Sequence, residues 1–322
     1  MGNRLVHRAY DLEPGRESLL REALAGLRRP QKELPTKYLY DERGAGLFDR
    51  ICKLEDYYIT RTEASIMEAN IGEIAKCLGR LVALVEYGSG NCKKVRHLLD
   101  HLDDPVAYIP IDISREQLLH VAEQLASDYP DLEVQPVCAD YLSVLDLPAS
   151  KRPARRRCVY FPGSTIGNFE PAAAQFFFKH IRGVCGRTGA LLIGVDLQKD
   201  PAVLHRAYND REGITAAFNL NVLERMNREL GCDFQPARFY HYAFYNPGQG
   251  RIEMHLISRH AQTVRVGDEA IPIAAGESIW TESSYKYTLD GFARLAAAGG
   301  FKTERVWLDE QQWFSVQYLV PD

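Results

Sequence analysis

Short apolar runs alternate with amphipathic stretches along the chain up to residue 195. Apolar runs bounded by turn residues indicate buried strands, and apolar positions repeated every three or four residues indicate helices. This pattern predicts strands at 81–86, 106–111, 133–138, 157–162 and 189–195. It predicts helices at 17–29, 44–54, 61–78, 92–102, 114–127 and 170–184, and an extended loop at 35–41. A β-α-β-α order of this kind predicts an α/β fold, with a doubly wound, mostly parallel sheet and helices on both faces.

The pattern changes beyond residue 200, where strand-like segments follow one another without intervening helices. Helices are predicted at 201–208 and 214–230, and antiparallel strands at 237–246, 251–259, 262–267 and 270–274. A helix at 288–298 and strands at 303–308 and 313–320 then predict an antiparallel terminal strand in the doubly wound sheet. Two domains are therefore expected. Their segments are 62–198 and 287–322 for the core, and 8–61 and 199–286 for a smaller, discontinuous α+β substrate domain.

The composition narrows the class of protein. The 322 residues are 46% hydrophobic, which is enough for a sizeable core, and the net charge of −4 gives no basic footprint for nucleic acid. No apolar stretch is long enough to cross a bilayer, and residues 1–16 lack the apolar core of a signal peptide. We therefore predict a cytoplasmic protein without nucleic-acid or membrane partners. The seven cysteines include no C-x-x-C pair, so neither a disulfide framework nor a structural metal site is expected.

The turn that follows the first predicted strand of the sheet, Gly88-Ser89-Gly90, carries the strongest chemical signal. Glycines let the backbone turn tightly and approach a ligand. Asp112 ends the next strand and can accept from ribose hydroxyls, while Asp140-Tyr141 ends the third and can bind and stack on adenine. Each aspartate alone is equally typical of a helix cap or turn. Together the three strand ends predict an adenosine-containing ligand, either S-adenosylmethionine or a dinucleotide, and the missing third glycine of the dinucleotide motif disfavours a nicotinamide cofactor.

A second polar strand end, Gly163 to Asn168, follows another predicted strand and suggests a second ligand beside the first. It is also compatible with an ordinary strand-to-helix turn capped by Asn168. Further along, Glu282 and Ser284 lie two residues apart, so their side chains lie on one side of an extended segment. A carboxylate and a hydroxyl placed in this way could bind a planar nitrogen heterocycle, although an exposed edge strand is the simpler interpretation.

These residues belong to longer motifs that resemble those of one family. The chain resembles the histidine-specific Nα-methyltransferases of ergothioneine biosynthesis, which convert L-histidine to the trimethylated product hercynine. The resemblance runs from about residue 17 to the end of the chain. Its most specific motifs are Tyr57-Tyr58-Ile59-Thr60-Arg61-Thr62-Glu63-Ala64 and Gly163-Ser164-Thr165-Ile166-Gly167-Asn168, and the others lie at 37–41, 88–90, 207–210, 215–219, 251–254 and 281–284.

The resemblance implies a class I methyltransferase core, which is Rossmann-like, with a discontinuous substrate domain and S-adenosylmethionine as methyl donor. It implies donor contacts by Tyr40, Gly88, Gly90, Lys94, Asp112, Asp140 and Tyr141. It implies that Asn168 and Tyr208 bind the carboxylate of the amino acid, and that its imidazole is surrounded by Tyr57, Met254, Glu282 and Ser284. The residues at the reacting centre would be Tyr40, Gly163 and Thr165, the last two beside the α-amine.

The expected activity is stepwise trimethylation of the α-amine of L-histidine by a monomer. No dedicated base is evident in the sequence, so the expected catalysis is alignment of a neutral amine with the methyl group. Three alternatives stay open at this point. The same fold could methylate another free amino acid such as tyrosine or tryptophan, the protein could be an NAD-dependent oxidoreductase, or it could bind ligands without catalysis.

Overall fold

The structure, a computed structural model, describes residues 10–12, 15–90, 93–139 and 147–322. Within them the helices are α1 (Arg16–Leu27), α2 (Glu42–Ile51), α3 (Tyr58–Leu78), α4 (Lys93–Leu99), α5 (Arg115–Asp128), α6 (Pro171–Cys185), α7 (Pro201–Tyr208), α8 (Ile214–Leu230) and α9 (Leu289–Ala298). The strands are β1 (Tyr10–Leu12), β2 (Lys32–Glu33), β3 (Val82–Tyr87), β4 (Ala107–Asp112), β5 (Glu133–Val134), β6 (Val137–Ala139), β7 (Arg156–Phe161), β8 (Ala190–Asp196), β9 (Phe239–Asn246), β10 (Arg251–Ser258), β11 (Gln262–Val266), β12 (Glu269–Ile273), β13 (Ser278–Tyr285), β14 (Phe301–Leu308) and β15 (Phe314–Pro321). Short 3₁₀ helices lie at Thr36–Leu39, Thr165–Asn168 and Pro236–Arg238. Among the described residues, no helix combines the length and apolar character that crossing a membrane requires.

The chain divides into two compact units. The first contains β1 with Ile59–Gln198 and Tyr287–Asp322, and the second contains the residues from 15 to Tyr58 with Lys199–Lys286. Strand β1 differs from the sequence prediction, which assigns residues 8–61 to the second domain. It pairs in parallel with β6 of the first unit, because the open edge of β6 offers backbone donors and acceptors to a further strand.

The first unit is built on one sheet with strand order β1-β6-β4-β3-β7-β8-β15-β14, and β5 pairs with β4. Strands β6, β4, β3, β7 and β8 are mutually parallel. Strand β15 runs antiparallel to both of its neighbours, β8 and β14. The predicted doubly wound α/β sheet with an antiparallel terminal strand is therefore confirmed.

The core of the first unit follows from the continuous apolar sequence of its central strands. Every residue of β3 and β8 is buried, which is typical of parallel strands covered on both faces. Aromatic side chains of α6 and α9 join this core. The ring centroids of Phe161 and Phe177 lie 4.6 Å apart, and those of Phe178 and Phe292 lie 5.8 Å apart. These contacts pack α6 against β7 and α9 against α6.

The sheet has a switch point between β3 and β7. From β3 the chain continues to β4 on one side, and it later returns to β7 on the other side. In open α/β sheets, ligands bind outside the carboxyl ends of the strands at such a point. The segments that follow these two strands contain Gly88–Gly90 and Gly163–Asn168, the turns that the sequence singles out.

The second unit contains a four-stranded sheet of order β2-β13-β10-β9 and a separate hairpin of β11 and β12. Strands β9, β10 and β13 are antiparallel, while β2 pairs in parallel with β13. Strand β13 pairs with β10 along its length, and β2 pairs with its other side at Ile279 and Trp280. Residues 281–286 are all buried. The interpretation of Glu282 and Ser284 as part of an exposed edge strand is therefore wrong.

Residues 35–41 do not form the extended loop that the sequence predicts. Thr36–Leu39 make a 3₁₀ helix, and Asp41 then caps α2 by accepting from the Gly44 N–H at 2.8 Å. Tyr38 in this turn is buried. The prediction is wrong because burial of the Tyr38 side chain favours a compact turn. The order of apolar and polar residues at 35–41 does not reveal that burial.

The long insertion, residues 199–286, leaves and rejoins the first unit at neighbouring positions. Leu197 forms a parallel bridge with Tyr287. The Tyr287 N–H donates to the Asp196 carbonyl at 3.0 Å, and the Gln198 N–H donates to the Tyr287 carbonyl at 2.9 Å. The first unit therefore has its own hydrogen bonds across the point of insertion.

Candidate active site

The glycine turn after β3 has an open side where a ligand can approach the backbone. Gly88 and Gly90 have φ values of +72° and +50°, and among the described residues a Cβ added to either would meet no atom within 4 Å. The Gly88 N–H donates to the Ile111 carbonyl at 2.9 Å, and the Gly90 N–H donates to Asp112 Oδ2 at 2.9 Å. Asp112 Oδ1 accepts from the Ser114 N–H at 2.9 Å. These bonds fix the turn against the end of β4.

Two further polar groups belong to this strand end. Ser89 is buried, and its Oγ has no hydrogen-bond partner among the described residues. Glu86 is buried within β3, where Tyr108 donates a hydrogen bond to its carboxyl group. Burial raises the pKa of Glu86 to about 8. The raised pKa of Glu86 therefore favours its protonated form at neutral pH.

Glu63, on α3, joins the strand ends of β3 and β7. It is 1% exposed. Its Oε2 lies 2.5 Å from Lys94 Nζ, and its Oε1 accepts from the Gly163 N–H at 2.8 Å. A Cβ at Gly194 would lie 2.2 Å from Glu63 Oε1, so β8 has glycine where the carboxylate needs room. Sequence reasoning missed this residue, and the one available signal was its place in the motif at 57–64.

The turn after β7 is held by its own hydroxyl groups. Gly163 and Ser164 have φ values of +77° and +58°, which is uncommon for a serine. The Ser164 Oγ accepts from the Asp196 N–H at 2.9 Å, and the Thr165 hydroxyl donates to the carbonyl three residues earlier at 3.0 Å. Asn168 ends the 3₁₀ helix that follows. Ser164 is thus engaged in the fold, and Gly163 and Thr165 lie at the carboxyl end of β7.

Of the predicted donor residues, Gly88, Gly90 and Asp112 lie at the ends of β3 and β4. Lys94 lies on α4 and is linked to Gly163 through Glu63. Asp140 and Tyr141 lie outside the described residues. In the part of the chain that the structure describes, no group of three histidine, cysteine, aspartate or glutamate side chains could hold a metal ion.

Met254, Glu282 and Ser284 share one face of the small sheet in the second unit. Glu282 lies opposite Met254 in the register of β13 and β10, and Ser284 lies opposite Ile252. Side chains two residues apart on a strand point the same way, as the spacing of Glu282 and Ser284 predicts. All of these side chains are buried, so the face is enclosed.

Glu282 is a buried acid with one oxygen unpaired. It is 7% exposed, and its Oε2 has no hydrogen-bond partner among the described residues. Burial raises the pKa of Glu282 to about 7, and the nearby Lys286 cation opposes this rise. A buried acceptor without a donor costs free energy. Its presence on this face favours a ligand that brings an N–H or O–H group.

Tyr40, Tyr57 and Tyr208 belong to one aromatic cluster of the second unit. The Tyr57 ring lies 6.2 Å from that of Tyr208 and 6.3 Å from that of Phe48, which is 5.4 Å from Tyr40. Burial raises the pKa of Tyr57 well above its ordinary value, so the hydroxyl stays protonated. Tyr208, the last residue of α7, donates to Ser284 Oγ at 2.8 Å. The aromatic cluster and β13 therefore meet at Ser284.

Lys286 joins this group, and sequence reasoning missed its contacts. It is buried, and its Nζ donates to Ser284 Oγ at 2.8 Å and to Tyr208 Oη at 3.0 Å. No local pattern marks it, because it lies beyond the motif at 281–284. The second unit thus brings together the predicted residues Tyr40, Tyr57, Tyr208, Met254, Glu282 and Ser284, with Lys286 added.

Comparison with known proteins gives four findings. A family model described as "Histidine-specific methyltransferase, SAM-dependent" matches residues 19–321. The chain is 40% identical over 310 residues to a protein of Mycolicibacterium smegmatis named histidine N-alpha-methyltransferase, covering 94% of this chain and 95% of that protein. It is 32% identical over 309 residues to ergothioneine biosynthesis protein 1 of Neurospora crassa, covering 89% of this chain and 33% of that protein. A crystal structure of an S-adenosylmethionine-dependent methyltransferase from Clostridium acetobutylicum has a TM-score of 0.48 at 10% identity, covering 87% of this chain and 98% of that one.

Proposed function

We propose that this protein methylates the α-amine of L-histidine. The chain belongs to the family of histidine-specific, S-adenosylmethionine-dependent methyltransferases. Three successive transfers would give hercynine, the Nα-trimethylated amino acid. The observation that carries the proposal is the unpaired Oε2 of buried Glu282, on one face with Met254 and Ser284. An imidazole N–H would supply the missing hydrogen bond.

The residues of the first unit fit a nucleoside with a sulfonium group. S-adenosylmethionine supplies an electrophilic methyl group when it is bound. Gly88 and Gly90 would let the backbone approach the ligand, and Asp112 would accept from its ribose hydroxyls. The Lys94 ammonium, next to Glu63, would bind a carboxylate of the ligand. Asp140 and Tyr141 are proposed to contact its adenine.

The residues of the second unit fit an aromatic amino acid with a polar ring. Glu282 would accept from the imidazole N–H, and Met254 and Tyr57 would enclose the ring. The Tyr208 ring would border the bound amino acid, while its hydroxyl hydrogen stays with Ser284 Oγ. Tyrosine rings also attract a methylated, cationic nitrogen through cation–π interaction, so the growing ammonium product would be tolerated.

Each transfer is an in-line displacement at the methyl carbon. The lone pair of a neutral amine forms the new N–C bond, the C–S bond breaks, and its electron pair stays on sulfur as a thioether. The amine must lose a proton before each transfer, because an ammonium has no lone pair; a peptide α-amine has a pKa of about 7.7–8.0 and a free amino acid a higher one. We propose that the proton leaves to solvent. The contribution of the protein is then alignment, which can lower a barrier substantially.

Mass spectrometry tests the substrate directly. The protein is incubated with S-adenosylmethionine and each of the twenty amino acids, and the products are analysed for added methyl groups. We expect histidine to gain one, two and then three methyl groups, and mono- and dimethylhistidine supplied as substrates to be methylated further. Methylation of tryptophan or tyrosine without histidine would support the same fold with another substrate. Failure to methylate either intermediate would contradict the stepwise scheme.

A further inference from the structure

Lys286 is a buried cation next to the proposed imidazole site. It is 2% exposed. Its Nζ lies 2.8 Å from Ser284 Oγ and 3.0 Å from Tyr208 Oη, and these two oxygens are 2.8 Å apart. A buried ammonium loses its hydration, and an apolar side chain of similar volume fills space without that cost. The charge of Lys286 therefore has a role other than packing.

The ammonium constrains the direction of the two hydroxyl groups. A lysine ammonium has three hydrogen-bond donors and no acceptor, so both oxygens must present lone pairs to Lys286. Of the two hydroxyl groups, the Tyr208 phenol is the stronger donor, so its hydrogen goes to Ser284 Oγ, 2.8 Å away. The Ser284 oxygen thus accepts two hydrogen bonds within the triangle, and its own hydrogen must point away from the triangle. Ser284 is thereby fixed as a donor toward a ligand.

A donor at Ser284 and an acceptor at Glu282, on the same face of β13, match a neutral imidazole. Imidazole has one N–H group and one bare nitrogen, so Glu282 can accept from the first and Ser284 can donate to the second. Phenol and indole rings have no bare ring nitrogen. We propose that Lys286 is a positioning residue that selects histidine by holding the Ser284 hydroxyl as a donor to the unprotonated ring nitrogen. This inference rests on the function proposed above.

Two synthetic amino acids test how much the unprotonated ring nitrogen contributes to recognition of histidine. The two isomers of pyrrolylalanine each keep one ring N–H and have C–H in place of the second nitrogen. For the wild-type protein we expect kcat/KM for histidine to exceed that for either isomer by at least about tenfold, the effect of one hydrogen bond from a buried donor. For Lys286→Met we expect kcat/KM for histidine to fall by about tenfold, with little change for the better pyrrolylalanine. The preference for histidine therefore shrinks, while the KM for S-adenosylmethionine stays unchanged.

A double-mutant cycle and a matched lysine variant separate positioning from general damage. If Lys286 acts through Ser284, adding Lys286→Met to Ser284→Ala produces little further loss of histidine preference. Lys199→Met is the control, because Lys199 Nζ donates to the Tyr58 hydroxyl at 2.8 Å in the same unit, outside the Lys286 triangle. That variant is expected to keep the wild-type preference. If Lys286→Met loses its thermal unfolding transition, Lys286→Gln takes its place in the cycle.

The outcomes separate this inference from the proposed function. Equal losses for histidine and both pyrrolylalanines, or additive losses in the double mutant, would overturn the positioning role of Lys286. A wild-type protein that methylates histidine and pyrrolylalanine equally well would also overturn it, whether or not the variants fold. A wild-type protein that methylates no histidine would overturn the proposed function itself, and this inference with it.

Discussion

Buried carboxylates of the second unit differ in whether their oxygens have partners. Glu253, on β10, accepts hydrogen bonds from Arg251, Asn246 and His255. Glu282, on the neighbouring strand, keeps one oxygen unpaired. The fold accounts for the burial of Glu253, because its charge is balanced within the sheet. It does not account for the burial of Glu282, which therefore points to recognition of a ligand.

Removal of the Glu282 carboxylate tests that role. We expect Glu282→Ala to raise the KM for histidine by at least about tenfold and to leave the KM for S-adenosylmethionine nearly unchanged, because the hydrogen bond to the imidazole is lost. Initial rates with each substrate varied in turn measure both constants. Glu253→Ala is the matched control and should lower the unfolding temperature without the rise in histidine KM. An unchanged KM for histidine in Glu282→Ala would show that Glu282 does not bind the imidazole ring.

Glu86 makes the stability of the protein depend on pH. Burial raises its pKa to about 8 in the folded protein, whereas an exposed glutamate has a pKa of about 4.3. The folded state therefore binds the proton more tightly, and the stability contributed by protonated Glu86 is present below the unfolded pKa and lost as pH rises through the folded pKa. Glu86→Gln stays neutral and can still accept from Tyr108. We expect its unfolding temperature to exceed that of the wild type by an amount that grows between about pH 5 and about pH 9. Thermal unfolding at both pH values measures this, and a constant difference would contradict a protonated Glu86.

At the scale of elements, helix α3 connects two strand ends through Glu63. In Glu63→Gln the side-chain carbonyl can still accept from the Gly163 N–H. The ion pair that holds the Lys94 ammonium in place is lost. We expect the KM for S-adenosylmethionine to rise by about tenfold, with a smaller change in the KM for histidine. Glu73→Gln, on the exposed face of the same helix, is the control and should leave both constants unchanged. Equal kinetics for the two variants would show that Glu63 does not act on the donor site.

The turn after β3 should tolerate glycine only. An alanine at the φ of +72° found at Gly88 is strained by about 1–2 kcal/mol. Its Cβ would also project to the side where the donor is proposed to bind, within 4 Å of which the structure places no described residue. We expect Gly88→Ala to weaken binding of S-adenosylhomocysteine by about tenfold, measured by isothermal titration calorimetry. Gly72→Ala, in the exposed middle of α3, should keep the wild-type affinity and raise stability by about 0.5–1 kcal/mol.

The buried parallel strands can be predicted from the sequence because each is a continuous apolar run. Strands β3, β4, β7 and β8 begin and end within one residue of their predicted bounds. The turns at Gly88 and Gly163 are equally visible, since glycine marks the positions where the backbone takes a left-handed conformation. The 3₁₀ helix at Thr36–Leu39 and the burial of residues 281–286 are not visible in the sequence, because both depend on which surfaces the rest of the chain covers.

Long-range partners set the limit of sequence reasoning about the candidate site. Glu63 contacts a residue 100 positions away, and Lys286 contacts one 78 positions away. The spacing of residues along the sequence does not reveal such pairings. The sequence therefore does not distinguish a buried charged residue from an exposed one. The motif residues could be named from the sequence, and the groups that hold them in place could not.

At the scale of the whole molecule, a doubly wound sheet by itself does not distinguish a methyl donor from a dinucleotide, since both bind at the switch point. The two ligands can be compared through their effect on stability. We expect S-adenosylhomocysteine at 100 times its dissociation constant to stabilise the folded protein by about 2.7 kcal/mol and to raise its unfolding temperature by several degrees. NAD⁺ at the same concentration should have no effect. Equal stabilisation by NAD⁺ would contradict the methyl-donor assignment.

The bonds that join Asp196 and Gln198 to Tyr287 close the first unit behind the insertion. If Gln198 were joined almost directly to Tyr287, without residues 199–286 between them, the strand order of the larger sheet would stay the same. Residues 199–286 can therefore change over evolutionary time with little penalty for the fold that binds the nucleoside. Descendants of one ancestral scaffold could in this way acquire a preference for different amines while inheriting the same chemistry.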